Sequence, residues 1–357
     1  MNGGSINSVI PARWRSGTLF GVKKKRGAMN PTTLLRRAVS AALAIASVVV
    51  VLGAYTRLAD AGLGCPDWPG CYGMLGVPAS DEQIRLAEAR YPGIPVEPAK
   101  AWPEMVHRYF ATGLGALCLG ILALAWSKGQ RLVIPITLAV LVIVQGAFGA
   151  WTVTLKLWPQ VVTAHLLGGF ATLSVLWWYV LSLRPAIGGM AVPKKWAQLA
   201  LVTVILQIAV GGWVTSNYAA LACPDFPTCH GQFVPTMDFE RGFDFAQTIG
   251  PNYLGGQLDS DARVAIQVVH RLGAVIVLVV VGLLVFHLRS RPFGWALGSV
   301  LCIQWVLGIS NVLFDLPLLV AVLHNAGGAT LLLMVLTVNV ALGQNQEPQI
   351  HNRNHSR

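Results

Sequence analysis

Residues 104–126, EMVHRYFATGLGALCLGILALAW, place an acid, a histidine and an arginine at the start of an apolar run long enough to cross a bilayer. The run lacks the strict alternation of a barrel strand, so it reads as a helix whose backbone polar groups bond to one another. Seven more runs of this kind fall at 34–56, 131–153, 161–183, 195–215, 265–288, 294–313 and 318–342. Glycine recurs inside them, as at Gly115 and Gly211-Gly212, and lets neighbouring backbones approach closely. Of 357 residues 54% are hydrophobic and only 11% charged, which excludes an ordinary soluble domain. The expected fold is all-α: a polytopic membrane protein of eight transmembrane helices, arranged as two pseudo-symmetric four-helix bundles.

Charge sets the expected orientation. Arg13, Arg15, Lys23, Lys24, Lys25, Arg26, Arg36 and Arg37 precede or open the first run, and basic connections follow at 128–131, 184–195 and 287–291. The tail adds Arg353 and Arg357. In an eight-span chain these segments share one side, so the positive-inside rule puts both termini in the cytoplasm and the loops at about 57–103 and 216–263 outside. The net charge of +11 is then mostly topology, and no nucleic-acid partner is expected. No small-residue cleavage site closes the first run, which is read as a span rather than a signal peptide. Met29 is an alternative start. The implied division is a basic arm at 1–33, a first bundle at 34–190, a second at 191–342 and a tail at 343–357.

The two long loops repeat each other. Cys65-Pro-Asp-Trp-Pro-Gly-Cys71 in the first answers Cys223-Pro-Asp-Phe-Pro-Thr-Cys229 in the second, 158 positions on (223 − 65). In an oxidising compartment each pair reads as a disulfide, with zinc the rival where His230 adjoins Cys229. His107-Arg108 recurs as His270-Arg271, and the HLLGG at His165 recurs as the HNAGG at His324. A four-helix unit has been duplicated, with an even number of spans per copy, so both copies keep one membrane orientation. Cys118 and Cys302 lie within spans and read as small packing residues.

A single histidine in a span is usually a hydrogen-bonded packing residue. Four at one depth, each near the outward end of an even-numbered span, are a different signal. Two helices that each offer an imidazole at equal height can ligate a haem iron from opposite faces, and duplication supplies that arrangement twice. The pairs are His107 with His165 and His270 with His324. Arg108 and Arg271 are suited to holding haem propionates, although snorkelling to the interface would explain them equally.

The halves differ at one position. Glu104 stands one turn before His107, whereas Gln267 stands one turn before His270. A carboxyl group there can exchange protons or offset positive charge on a reacting porphyrin substituent; glutamine can do neither. The first half therefore reads as the chemical site and the second as a haem site for electron transfer, with a negative charge suited to the helix start as the plainer account of Glu104. Gln145, Gln207 and Gln304 read as helix-bridging hydrogen-bonders, and the tryptophans as interface belts and packing.

Taken together, CPDWPGCYG within 58–73, EMVHR at 104–108, AHLLGG at Ala164, the second cysteine loop, VHRLGA at Val269 and LHNAGG at Leu323 resemble the haem A synthase family over about residues 40–340. The resemblance implies oxidation of the methyl group at ring position eight of haem O to a formyl group, giving haem A for terminal oxidases. It implies that His107 and His165 face the substrate porphyrin, that His270 and His324 ligate a haem b cofactor, and that Glu104 is the essential acid. It further implies a haem O synthase as supplier, an electron-transfer partner, and residence in a bacterial inner membrane; a homo-oligomer is compatible with the sequence. Two other classes are weighed. A di-haem b-type electron-transfer cytochrome needs the same histidines but gives no reason for the Glu104/Gln267 difference. A haem transporter or chaperone needs release across the membrane, yet all four histidines lie near one face.

Overall fold

The computed structural model describes residues 31–344 apart from 186, 188, 189 and 191. Nearly all of the expected arm and tail, with Met29, His351 and His355, lies outside the described residues. The described chain forms α1 (Pro31–Leu58), α2 (Asp81–Arg90), α3 (Pro98–Ser127), α4 (Val133–Thr154), α5 (Pro159–Ser182), α6 (Lys194–Ser216), α7 (Phe239–Gly242), α8 (Ser260–Leu288), α9 (Pro292–Leu313) and α10 (Leu318–Gln344). All but α2 and α7 are long and apolar enough to cross a membrane, and no strand occurs among the described residues.

All eight expected spans are present, but two begin five or six residues before their apolar runs. α3 and α8 extend outward through Pro98-Ala-Lys-Ala and Ser260-Asp-Ala-Arg. Helix need not stop where apolarity stops: proline opens α3, and Asp259 caps α8 by accepting from the Ala262 N–H. His107 and His270 consequently sit about 14–15 Å along their helices at 1.5 Å per residue, deeper from the helix start than the apolar runs suggest. His165 and His324, six residues into α5 and α10, sit about 9 Å along.

The spans pack in two closed circuits. α1 touches α3, α3 touches α4, α4 touches α5 and α5 returns to α1; likewise α6, α8, α9 and α10 close a ring. The circuits meet where α5 packs on α6 and α10, and α1 on α10. Small side chains make this close packing possible: Ala42, Ala46, Ala125, Ala197 and Ala200 are fully buried, while Val133, Ile143, Leu206, Val306 and Leu319 point outward. Between apolar helices in lipid, van der Waals fit and interhelical hydrogen bonds hold the structure, because apolar burial brings little gain there. Trp177 Nε1 donates to Thr337 Oγ1 at 2.8 Å between α5 and α10, and Thr163 and Ser216 pair at 2.9 Å between α5 and α6.

The turns that position the second histidine of each pair are built alike. After α4, Lys156 and Leu157 take left-handed backbone, and after α9, Asp315 and Leu316 do the same. The Leu157 N–H reaches back to the Thr152 carbonyl and the Leu316 N–H to the Asn311 carbonyl, both at 2.8 Å. Each hydrogen bond satisfies a carbonyl at the helix end and turns the chain directly into the next span.

Candidate functional site

His107 on α3 and His165 on α5 face each other with ring centroids 6.4 Å apart and planes at 83°. A metal bonded to one nitrogen of each ring at about 2.0 Å, with about 1.1 Å from nitrogen to ring centre, needs centroids about 6.2 Å apart. The spacing thus fits one iron between two imidazoles. Nδ1 of His107, His165 and His324 is shut away without a hydrogen-bond partner, as ring nitrogens awaiting a further group would be. His270 on α8 and His324 on α10 occupy the corresponding positions of the second circuit. Among the described residues no three His, Cys, Asp or Glu side chains gather around one point, so the imidazoles come as pairs.

Each ring rests against a glycine of the adjacent helix. A Cβ added at Gly53 on α1 would stand 2.9 Å from Cε1 of His107, and one at Gly149 on α4 would stand 3.5 Å from Cε1 of His165. The matching distances are 3.2 Å from Gly211 to His270 and 3.1 Å from Gly308 to His324. Glycine leaves the width of an imidazole between helices that otherwise touch.

Glu104 is buried, and its carboxylate accepts from the Cys65 N–H at 2.9 Å and pairs with Arg108. The same guanidinium donates to the backbone carbonyls of Asp67, Pro69 and Gly70. Arg271 repeats that clamp on the second loop, donating to the carbonyls of Thr228, Cys223 and Asp225 at 2.8–3.0 Å. Sequence reasoning left these arginines between propionates and snorkelling to the interface; their donors are observed holding the cysteine loops. At the place of Glu104, buried Gln267 leaves its Oε1 without a partner.

The loops themselves are disulfide-closed, Cys65 to Cys71 and Cys223 to Cys229, so these sulfurs are not zinc ligands. Asp67 accepts from the Tyr72 and Gly73 N–H groups, and Asp225 from those of His230 and Gly231. Gly73 and Gly231 sit at φ +74° and +72°, where an L side chain is strained. The Thr228 hydroxyl, then the Gly231 and His230 N–H groups, hold the Asp225 carboxyl down at about 2.

Two features were missed from sequence. α2 is polar and short, yet Ser80 and Gln83 form a capping box that the spacing S-x-x-Q announces. The second loop also crosses to the first circuit: Trp158 Nε1 donates to the Gln247 carbonyl at 3.0 Å and Gln160 Nε2 to that of Phe245 at 3.1 Å. No local motif signals those contacts.

Known proteins resemble this chain over most of its length. The family described as "Cytochrome oxidase assembly protein" (COX15-CtaA) matches residues 36–336. A protein of Shewanella oneidensis named "Heme A synthase" is 42% identical over 325 residues, covering 88% of this chain and 97% of its own. Proteins of the same name from Caulobacter sp. and Chelativorans sp. are 30% and 29% identical, covering 81% and 78% of this chain and 90% and 82% of theirs. With the match running from the first span into the last and enclosing all four histidines and both disulfide loops, this chain belongs to the COX15-CtaA family of cytochrome oxidase assembly proteins.

Proposed function

We propose that this chain is a haem A synthase, a membrane oxidoreductase that converts the methyl group at ring position eight of haem O into the formyl group of haem A. The observation that carries the reading is the His107/His165 pair, perpendicular and 6.4 Å apart, which suits the iron of a substrate porphyrin. His270 and His324 would hold a b-type haem. When bound, that group supplies a one-electron redox centre. The spans at 34–190 then form the substrate half and those at 191–342 the cofactor half, two copies of one four-helix unit.

A methyl group becomes a formyl group only by losing electrons and protons and gaining oxygen, so the protein must manage charge beside the porphyrin. Glu104 is placed for this, one helical turn from His107 and fixed by the Cys65 N–H and Arg108. The arginine-clamped loops would cover the porphyrin edges and keep bulk water from the reacting carbon. Water or dioxygen would supply the carbonyl oxygen, electrons would accordingly leave or enter through the second half by way of a separate partner, and a haem O synthase would supply the substrate.

Sidedness follows from charge. Among the described residues every Asp and Glu lies toward the cysteine-loop end, whereas Arg36, Arg37, Lys128, Arg131, Arg184, Lys194, Lys195, Arg289 and Arg291 lie at the other. This supports cytoplasmic termini and cysteine loops outside a bacterial inner membrane.

The test is to express the chain with a haem O supply, then extract and chromatograph the membrane haems. Haem A should appear, and Glu104→Gln should abolish it while the b-type spectrum persists. Unchanged haem O beside two permanently bound b haems would identify an electron-transfer cytochrome instead.

A further inference from the structure

The end of the bundle opposite the cysteine loops carries an open cleft of about 550 Å³ between the start of α1 and the end of α5. Arg36, Arg37 and Ser40 of α1 line one side, and Arg184 and Pro185 the other. α1 packs along α5 with the opposite chain direction, so the first turns of one helix and the end of the other come together. Arg36 and Ser40 are four residues apart and share a helix face. Arg184 opens the connection to α6, in which the Ile187 N–H donates to Gln344 Oε1 of α10 at 3.1 Å. The cleft thus adjoins the link between the two circuits.

Its height, its charge and its surroundings point to a membrane ligand. Arg36 precedes Leu58, at the cysteine-loop end of α1, by 22 residues (58 − 36). At 1.5 Å per residue that is about 33 Å, close to the thickness of a hydrocarbon core of about 30 Å, so the guanidiniums stand at headgroup level. Among the described residues every Asp and Glu lies toward the other end, and none of those carboxylates neutralises Arg36 or Arg184. Guanidinium is a forked donor matched to the oxygens of a phosphate. From Ser40 inward the same face of α1 continues as Ala44, Val48 and Val51, all exposed. A soluble anion has no use for such an apolar track beneath its site, whereas an acyl chain does.

We propose that this cleft is a site for one acidic phospholipid, whose phosphate is held by Arg36, Arg184 and the Ser40 hydroxyl while an acyl chain lies along Ala44, Val48 and Val51. Basic pockets between transmembrane helices bind such headgroups. Arg37 lines the same cleft and adds to its positive potential. The lipid would tie α1 to the segment that leads into the second circuit. The histidine pairs lie toward the other end of the spans, and the inference does not depend on the haem reading.

The test uses purified full-length protein, delipidated in detergent and titrated with phosphatidylglycerol or phosphatidylcholine while bound lipid is counted by native mass spectrometry. Phosphatidylglycerol should fill one tight site that phosphatidylcholine does not. Arg36→Ala with Arg184→Ala should weaken that site by about 5-fold for each guanidinium and about 30-fold for both. Ser40→Leu, which keeps every charge and with it the membrane orientation, should also weaken the site by filling the cleft. Arg289→Ala with Arg291→Ala, at the same end but outside the cleft, should leave it unchanged. If the Arg36/Arg184 variant does not insert or fold, Ser40→Leu against the Arg289/Arg291 control decides alone. Equal affinity for the two lipids, or an equal loss in the control pair, would overturn the inference by showing surface charge without a site. Displacement of the lipid by millimolar inorganic phosphate would overturn it too, as the sign of a site for free anions.

Discussion

The backbone N–H of Cys65 donates to a carboxylate oxygen of Glu104 at 2.9 Å, so a disulfide-bonded residue and the acid one turn from His107 are one mechanical unit. Arg108 closes the unit, pairing with Glu104 and gripping three carbonyls of the same loop. The second half has the arginine grip without the acid, because Gln267 leaves its Oε1 unpartnered. Loop and helix are thus fastened by a charged anchor in one half and by neutral acceptors in the other.

From this difference follows an unequal response to losing the disulfides. Opening a ring with a sequence separation of six releases loop entropy worth about 2 kcal/mol, similar in the two loops. Only in the first does Cys65 also position a buried carboxylate. Cys65→Ser with Cys71→Ser should lower the thermal midpoint about as much as Cys223→Ser with Cys229→Ser, but should cost far more haem A production. Equal losses of product from the two pairs would show that Glu104 does not depend on its loop.

Asp225 gives the second loop a dependence on pH. Its folded carboxyl titrates near 2, held down first by the Thr228 hydroxyl and then by the Gly231 and His230 N–H groups, against about 3.9 for an unstructured aspartate. Because the folded value is the lower, its contribution is complete above about pH 4 and fades as pH falls toward 2. Hydrogen exchange at the His230 and Gly231 amides should rise relative to the intrinsic rate as pH drops through that window. Asp225→Asn should expose both amides at neutral pH and remove the acid dependence; protection that persists in this variant would show that the disulfide alone orders the turn.

Much of this architecture was legible in the residues. The eight spans follow from apolar runs whose backbone must bond internally, and the histidine pairs follow from repeated motifs at matching heights. Helix starts were less legible: α3 and α8 outrun their apolar segments because capping and proline, not hydropathy, decide where they begin. The partners of Arg108 and Arg271 were not legible either. An arginine near a haem ligand suggests propionates, but which acceptors it meets depends on where a loop about 40 residues away folds back. The three glutamines stood out as polar residues in spans, yet their packing over Gly168, Gly273 and Gly327 of neighbouring helices is a relation no single segment displays.

Graded contact between imidazole and glycine predicts a graded response to alanine. At Gly53 an added Cβ would stand 2.9 Å from His107 Cε1, closer than side chains tolerate, whereas at Gly149 it would stand an ordinary 3.5 Å from His165. Alanine is favoured over glycine in a helix by roughly 1 kcal/mol, so neither change should weaken α1 or α4 themselves. Something must shift at Gly53, and the three nearest atoms all belong to the His107 ring. Gly53→Ala should therefore turn the His107 ring and remove the bis-imidazole spectrum of porphyrin bound in the first half, with the second-half haem unchanged. Gly149→Ala should leave both spectra intact. Gly211→Ala, at 3.2 Å from Cε1 of His270, should distort the second-half signal. Identical spectra for Gly53→Ala and Gly149→Ala would mean that the glycine contact does not set the imidazole, and that the spacing between α1 and α3 has another cause.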